Sequence, residues 1–186
     1  MQFSQAELEQ LLAQPGPIRL VRADLRGAQL AQADLRSANL IRADLRHALL
    51  DGARLEGTRI SEANLSEASL VGANLSKADL FDANLSAADL SGANLSETAL
   101  MWVNLSGAQL KGANLSNANL HGANLSGANL VTANLFDANL SETDLRNANL
   151  TSASLTGVNL FKAKYNRATI WPTGFDPTHS GTIYES

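Results

Sequence analysis

The sequence predicts an all-β solenoid, a chain wound into stacked coils, and three observations carry that prediction. A large apolar residue recurs at every fifth position from Leu20 to Ile170; of these 31 centres 28 are Leu, and the others are Ile60, Tyr165 and Ile170. Two residues before each centre the side chain is small: 25 of the 30 positions from Ala23 to Ala168 are Ala, and the departures are Thr58, Thr98, Val103, Thr143 and Val158. The residue just before the centre is Asn or Asp at 20 of the 30 positions from Asp24 to Thr169. The unit reads A-(N/D)-L-x-x.

A five-residue period matches neither the 3.6-residue turn of a helix nor the two-residue alternation of a strand. It requires a backbone that turns a corner every five residues and stacks on itself through parallel hydrogen bonds. Leu and Ala, at alternate positions, point inward. Ala stays small because walls converge on a narrow bore, and each buried Leu contributes roughly 1.5–3 kcal/mol of transfer free energy. Thr98, Val103 and Val158 are expected to widen the wall locally. Asn and Asp suit a corner, since their side chains bond to nearby backbone.

The segments ADLRGAQL, ANLSGANL and ANLFDANL reproduce the motif A-(D/N)-L-x-x of the pentapeptide-repeat family, which the chain resembles over residues 18–170. The resemblance implies a right-handed quadrilateral parallel β-helix. It would have four corners per coil of 20 residues, about 7.5 coils from Leu20 to Ile170, and a length of roughly 35–40 Å. The closing segment ATIWPTGFDP, residues 168–177, is similar to that of many cyanobacterial members.

The domain division follows: residues 1–17 a capping helix and turn, 18–170 the β-helix, 171–186 a C-terminal cap and tail. Ser4-Gln5-Ala6-Glu7 is a capping box that opens a helix over about residues 5–13. Phe3, Leu8, Leu11 and Leu12 give that helix an apolar side, and Pro15-Gly16-Pro17 ends it. Its expected role is a lid over the first coil, since a solenoid must terminate its core. Tyr165, Ile170, Trp171 and Phe175 are expected to plug the other end. Residues 178–186 read as a loose tail, with the alternative that Ile183 and Tyr184 fold back over the last coil.

Residues 20 apart share a column on the surface. The column after Leu20 reads Val21, Ile41, Ser61, Phe81, Met101, His121, Ser141, Phe161; beside it run Arg22, Arg42, Glu62, Asp82, Trp102, Gly122, Glu142, Lys162. Phe81, Met101, Trp102 and His121 therefore form one largely apolar patch on a polar surface. Such a patch marks either a contact site or a ladder that stabilises its own wall. Residues 1–60 carry eight Arg against seven acids, and residues 61–160 carry three bases against nine acids, within a net charge of -4. Arg22/Arg42 and Arg26/Arg46 form short basic columns, with Asp24 and Asp44 beside them.

Little in the sequence points to chemistry. With no Cys, disulfides and thiolate sites are excluded. His47, His121 and His179 show no metal-ligand spacing, and Ser66, Ser86, Ser106 and Ser126 stack without a positioned base. A solid rod offers paired carboxylates such as Glu62 and Asp82 no obvious cleft. Neither an enzyme nor a cofactor or metal is expected, nor direct nucleic-acid binding or a membrane span. The first residues lack a signal-peptide pattern, so a cytoplasmic location is the default. The reading is a non-catalytic structural or protein-interaction solenoid of unidentified protein partner, monomeric or a weak side-by-side dimer. The resemblance supplies an alternative, a DNA-mimic protein binding DNA gyrase, and a further family theme, regulation of differentiation in filamentous cyanobacteria. The mimic is weakened by the modest net charge and by Pro172, Gly174, Pro177 and Gly181, which do not suit the C-terminal helical module through which known mimics dimerise.

Overall fold

The computed structural model describes residues 4–14 and 16–186. From Arg19 onward the residue before each centre bridges, in parallel, the residue 20 positions later. Arg19↔Asn39, Asp24↔Asp44, Gln29↔Leu49 and Asp34↔Arg54 form the first set, and such sets repeat as far as Asp144↔Lys164. Each bridge uses both faces of the peptide: Leu20 N–H donates to the Asn39 carbonyl and Asn39 N–H to the Ile18 carbonyl, both at 2.8 Å. Inside the stack, every Leu or Ile centre from Leu25 to Leu150 is at most 1% exposed.

Each pentapeptide ends in a tight turn, closed in the first coil by Ala23 N–H donating to the Leu20 carbonyl at 3.1 Å. Its second outward residue, every fifth position from Arg22 to Lys162, has positive φ, and 19 of these 29 residues are not Gly. A side chain in that conformation costs about 1–2 kcal/mol. The turn is tolerated because the ladders above and below fix it. The closing bond also registers what fills the bore. It measures 2.9–3.2 Å at the alanines, but 3.4 Å at Thr98 and 3.3 Å at Val103, Thr143 and Val158. The expected local widening is thus visible as stretched turns. The turn at Thr58 stays at 3.1 Å; its hydroxyl donates to the Leu35 carbonyl at 2.8 Å, as that of Thr98 does to the Leu75 carbonyl at 3.1 Å.

At the start, α1 spans Gln5–Leu12, with Ser4 and Glu7 in a reciprocal capping box. Leu8 is fully buried in the solenoid core, and Leu11 and Leu12 pack against it. Gln5 Nε2 donates at 3.0 Å to the Gln29 carbonyl, which faces the open side of the first coil and has no earlier coil to pair with. Phe3 and Pro15, assigned from sequence to this helix and turn, lie outside the described residues.

At the far end the structure corrects the sequence. The five-residue register ends at Tyr165 rather than Ile170. Ile170 bridges Asn149, a step of 21, and is 51% exposed. Thr169 takes the inward small position, its hydroxyl donating to the Leu145 carbonyl at 2.9 Å, and Trp171 takes the place of a Leu centre. The extra residue enters at Asn166. Its side-chain Oδ1 accepts the Asn147 N–H at 3.1 Å, standing in for the backbone carbonyl that serves this role in other coils. With no coil beyond to confine it, the wide Trp171 ring lies over the core, edge-on to Tyr165 at 5.7 Å and beside Phe175 at 5.1 Å. The tail is not loose. The strand β1, Lys164–Tyr165, pairs in parallel with β2, Ile183–Tyr184, and Glu185 reaches Arg146 at 2.9 Å and Lys164 at 3.0 Å.

Candidate protein-interaction patch

All outward side chains of the solenoid come from the turns and the bridging positions, so a surface site must be assembled from residues 20 apart. At the corner after Leu80 and Leu100, Asp79 Oδ1 accepts the Phe81 N–H at 3.1 Å, and two coils further on Asn119 Oδ1 accepts the His121 N–H at 3.2 Å. The coils are tied by Asp82 N–H to the Met101 carbonyl and Trp102 N–H to the His121 carbonyl, both 3.0 Å. On this frame Phe81 is 40% and Trp102 50% exposed, while Met101 and His121 are half-buried.

Trp102 is the organising side chain. Its φ is 60°, and its ring lies over Gly122 in the next coil. A Cβ on Gly122 would fall 2.3 Å from the nearest indole carbon, so only Gly leaves the ring its seat. His121 meets the indole edge-on at 5.1 Å, and its Nδ1 lies 2.9 Å from Ser141 Oγ. Beneath the corner, Thr98 and Val103 flank Leu100, and both of their turns are stretched. The structure therefore places the four sequence-predicted residues on adjacent coils and brings Trp102 and His121 into ring contact. Asp82 stands one coil before Trp102, and Glu142, which faces Lys162 at 3.8 Å, two coils after.

The basic columns near the start are largely neutralised. In each D-L-R unit the guanidinium folds back on the Asp two residues earlier in a forked pair: Arg26 on Asp24, Arg36 on Asp34, Arg46 on Asp44 and Arg146 on Asp144. The Arg36 hydrogen bonds pull the Asp34 carboxyl down to about 2, and Asp44 and Asp144 are lowered for the same reason. Arg42 grips Glu62 at 2.7 and 3.1 Å. In A-N-L-S units the Asn Oδ1, like the Asp Oδ1 of the D-L-R units, accepts the backbone N–H two residues on, as in Asn64 to Ser66 at 3.0 Å.

Sequence reasoning missed two surface features. Asn side chains bond to one another up the walls, for example Asn104 to Asn84 at 3.2 Å and Asn114 to Asn94 at 3.3 Å. The recurrence of Asn at 20-residue spacing was the available signal. A groove of about 590 Å³ also runs beside the N-terminal segment, lined by Leu12, Ile18, Arg36, Glu56 and Lys77 among others, where a solid rod with no obvious cleft was expected. Among the described residues no group of three or more His, Asp or Glu is placed to hold a metal ion, and no helix is long and apolar enough to cross a membrane.

The family model for pentapeptide repeats matches in eight copies across residues 18–57, 58–96, 99–135 and 133–164. Among solved structures the chain is similar to HetL, a pentapeptide repeat protein involved in heterocyst differentiation regulation from Nostoc sp. strain PCC 7120. The two are 41% identical over 76% of this chain and 74% of that one, with a TM-score of 0.48. It is 39% identical to alr5209, a pentapeptide repeat protein from the same organism, over 60% of this chain and 84% of that one, TM-score 0.39. QnrB1, a plasmid-mediated fluoroquinolone resistance protein, shares the fold at 18% identity, covering 89% of this chain and 78% of that one with a TM-score of 0.55. Comparison with curated protein sequences returns no match. The molecule is thus a right-handed β-helix solenoid of stacked parallel coils. The chain belongs to the pentapeptide-repeat family, whose members are generally structural or interaction proteins.

Proposed function

We propose that this chain is a non-catalytic, cytoplasmic interaction rod of square section, closed at one end by α1 and at the other by the aromatic cover of Tyr165, Trp171 and Phe175, with Phe81, Met101, Trp102 and His121 as its contact patch. The observation that carries the reading is Trp102. It is half exposed at this corner, seated on a glycine and bordered by exposed Phe81. Exposed apolar clusters of this kind are uncommon on soluble proteins and accompany contacts. The division into residues 1–17, 18–170 and 171–186 serves this architecture, with the helical end extended by the register step at Asn166. Affinity capture from the native organism, repeated with Trp102→Ala plus Phe81→Ala, tests the patch. A partner lost with the double variant supports it, and an unchanged captured set sinks it.

A DNA-mimic role at DNA gyrase has one observation in its favour, the excess of nine acids over three bases in residues 61–160. The structure gives that reading less support, because those acids are spread around the rod: Glu62 and Asp82 at one corner, Glu67 at the next, Asp89 on a wall and Glu97 at a third corner. A gyrase supercoiling assay with neither inhibition nor protection removes it.

A further inference from the structure

The wall that ends in the patch is its own electrostatic complement. In its first three coils Arg19, Arg22 and Arg59 have no ion-pair partner among the described residues. In its fourth and fifth coils the same holds for Asp79, Asp82 and Glu97. Apolar side chains run between them along the corner: Val21 is 47% exposed, Ile41 half-buried, and Phe81 and Trp102 exposed. Two copies laid antiparallel, with a two-fold axis level with Ser61, bring the first coil onto the fifth and the second onto the fourth. Val21 then meets Met101, and Ile41 meets Phe81. Arg42 meets Asp82, and Arg22 meets the Trp102 indole, where a cation over the ring is favourable. Glu62 and Arg59 each face their own copy at the axis, but Arg42 already holds each Glu62 in a forked pair, and the copy's Asp79 lies one coil from Arg59.

We infer that the occupant of the patch is a second copy of this chain, packed side by side in antiparallel register. The inference rests on the patch reading above and narrows it to an isologous contact, in which each residue pair occurs twice. Five coils spaced about 4.8 Å apart give roughly 20 Å of contact along one corner. That is a few hundred Å² per copy, below the ~800 Å² of a standard stable interface. The dimer is therefore weak, reversible and sensitive to salt.

The experiment is sedimentation velocity on the purified full chain from about 10 µM to about 1 mM, a range matched to an interface of this size. The weight-average sedimentation coefficient rises with concentration toward that of a dimer, and the rise shrinks in about 0.5 M salt. Arg42→Asp or Asp82→Arg alone weakens association at least about tenfold, since each breaks two symmetric contacts. The double variant Arg42→Asp plus Asp82→Arg restores it, because the exchanged charges again face each other only in the antiparallel register. Arg22, Arg42 and Asp82 share the same corner conformation, with φ of 56°, 59° and 54°, so the exchange adds no backbone strain. Circular dichroism melts confirm that each variant is folded. A chain that stays monomeric across the range at low salt overturns the inference, as does a dimer that ignores the single changes or is not restored by the double one. A monomer that still loses a captured partner with Trp102→Ala plus Phe81→Ala removes only the dimer and leaves the patch standing.

Discussion

The seat of Trp102 can be tested by adding one methyl group at each of two glycines. Gly122 and Gly127 have nearly the same φ, 67° and 68°, so Ala at either incurs the same positive-φ penalty of about 1–2 kcal/mol. Their surroundings differ. A Cβ at Gly127 has nothing within 4 Å, whereas one at Gly122 lies 2.3, 2.4 and 2.8 Å from three indole carbons. Ordinary contact needs more than 3.4 Å, so the ring must move by about 1 Å or leave. Trp102 is half buried, and half of an aromatic side chain's 150–250 Å² at about 25 cal/mol per Å² comes to about 2–3 kcal/mol. Gly127→Ala is thus expected to cost about 1–2 kcal/mol and Gly122→Ala about 3–5 kcal/mol when the ring is expelled. The assay is equilibrium denaturation with intrinsic fluorescence in a Trp171→Phe background, so that Trp102 alone reports. Its emission shifts to the red in Gly122→Ala and stays put in Gly127→Ala. Equal destabilisation by the two variants, with unchanged emission in both, would refute the seating of the indole on Gly122.

Three further outcomes follow from the same structure. Leu115→Ala, at a fully buried centre in mid-stack, costs about 2–5 kcal/mol by denaturation, and Leu155→Ala, partly buried in the end coil, costs distinctly less. Asp34 is held at about 2 and Asp44 and Asp144 below their ordinary range, against about 4 unfolded. Their contribution is therefore complete above about pH 4 and lost as pH falls toward about 2, so the Tm drops across that window. Replacing Arg36, Arg46 and Arg146 by Gln flattens that drop, and an unchanged pH profile would count against the forked pairs. Glu185→Ala releases β2: hydrogen exchange at Ile183 and Glu185, whose N–H groups donate to Ala163 and Tyr165 at 2.8 Å, rises well before that of the inner coils.

What could be read in advance divides along the repeat. The inward Leu and Ala, the Asn and Asp corners and the capping box at Ser4 were legible because each is dictated by local spacing, repeated many times. The widened turns at Thr98, Val103 and Val158 were legible for the same reason, since a larger side chain in a fixed bore has nowhere else to go. The end of the repeat was not. Ile170 sits at the correct spacing and has the right chemistry, yet Trp171 wins the inward place. Two neighbours decide this: Asn166, whose side chain replaces a backbone acceptor, and Phe175, which gives the indole a surface to lie on. Neither preference has a period. The patch residues could be found by counting in twenties, but not the dependence of Trp102 on Gly122, because the count gives adjacency and not the direction in which a side chain lies.

That direction bears on why the patch exists. Among the described residues other than Gly at positive φ, Trp102 is the only one with a large apolar ring. Its backbone conformation costs about 1–2 kcal/mol, and its half-buried ring returns about 2–3 kcal/mol. The two nearly cancel, so Trp102 does little for the stability of the rod, and Gly or Asn would hold the turn with less strain. The neighbouring coils show that the corner accepts such residues, with Asp at 82 and Gly at 122. What Trp102 adds beyond a stable turn is the half of its surface that remains in solvent, beside Phe81 and Asp82, which has no ion-pair partner among the described residues. A strained residue whose one distinctive contribution is exposed apolar area is what the contact proposed for this patch would use. The stability measurements on Gly122→Ala and the association measurements on Arg42→Asp plus Asp82→Arg therefore address different halves of the same ring.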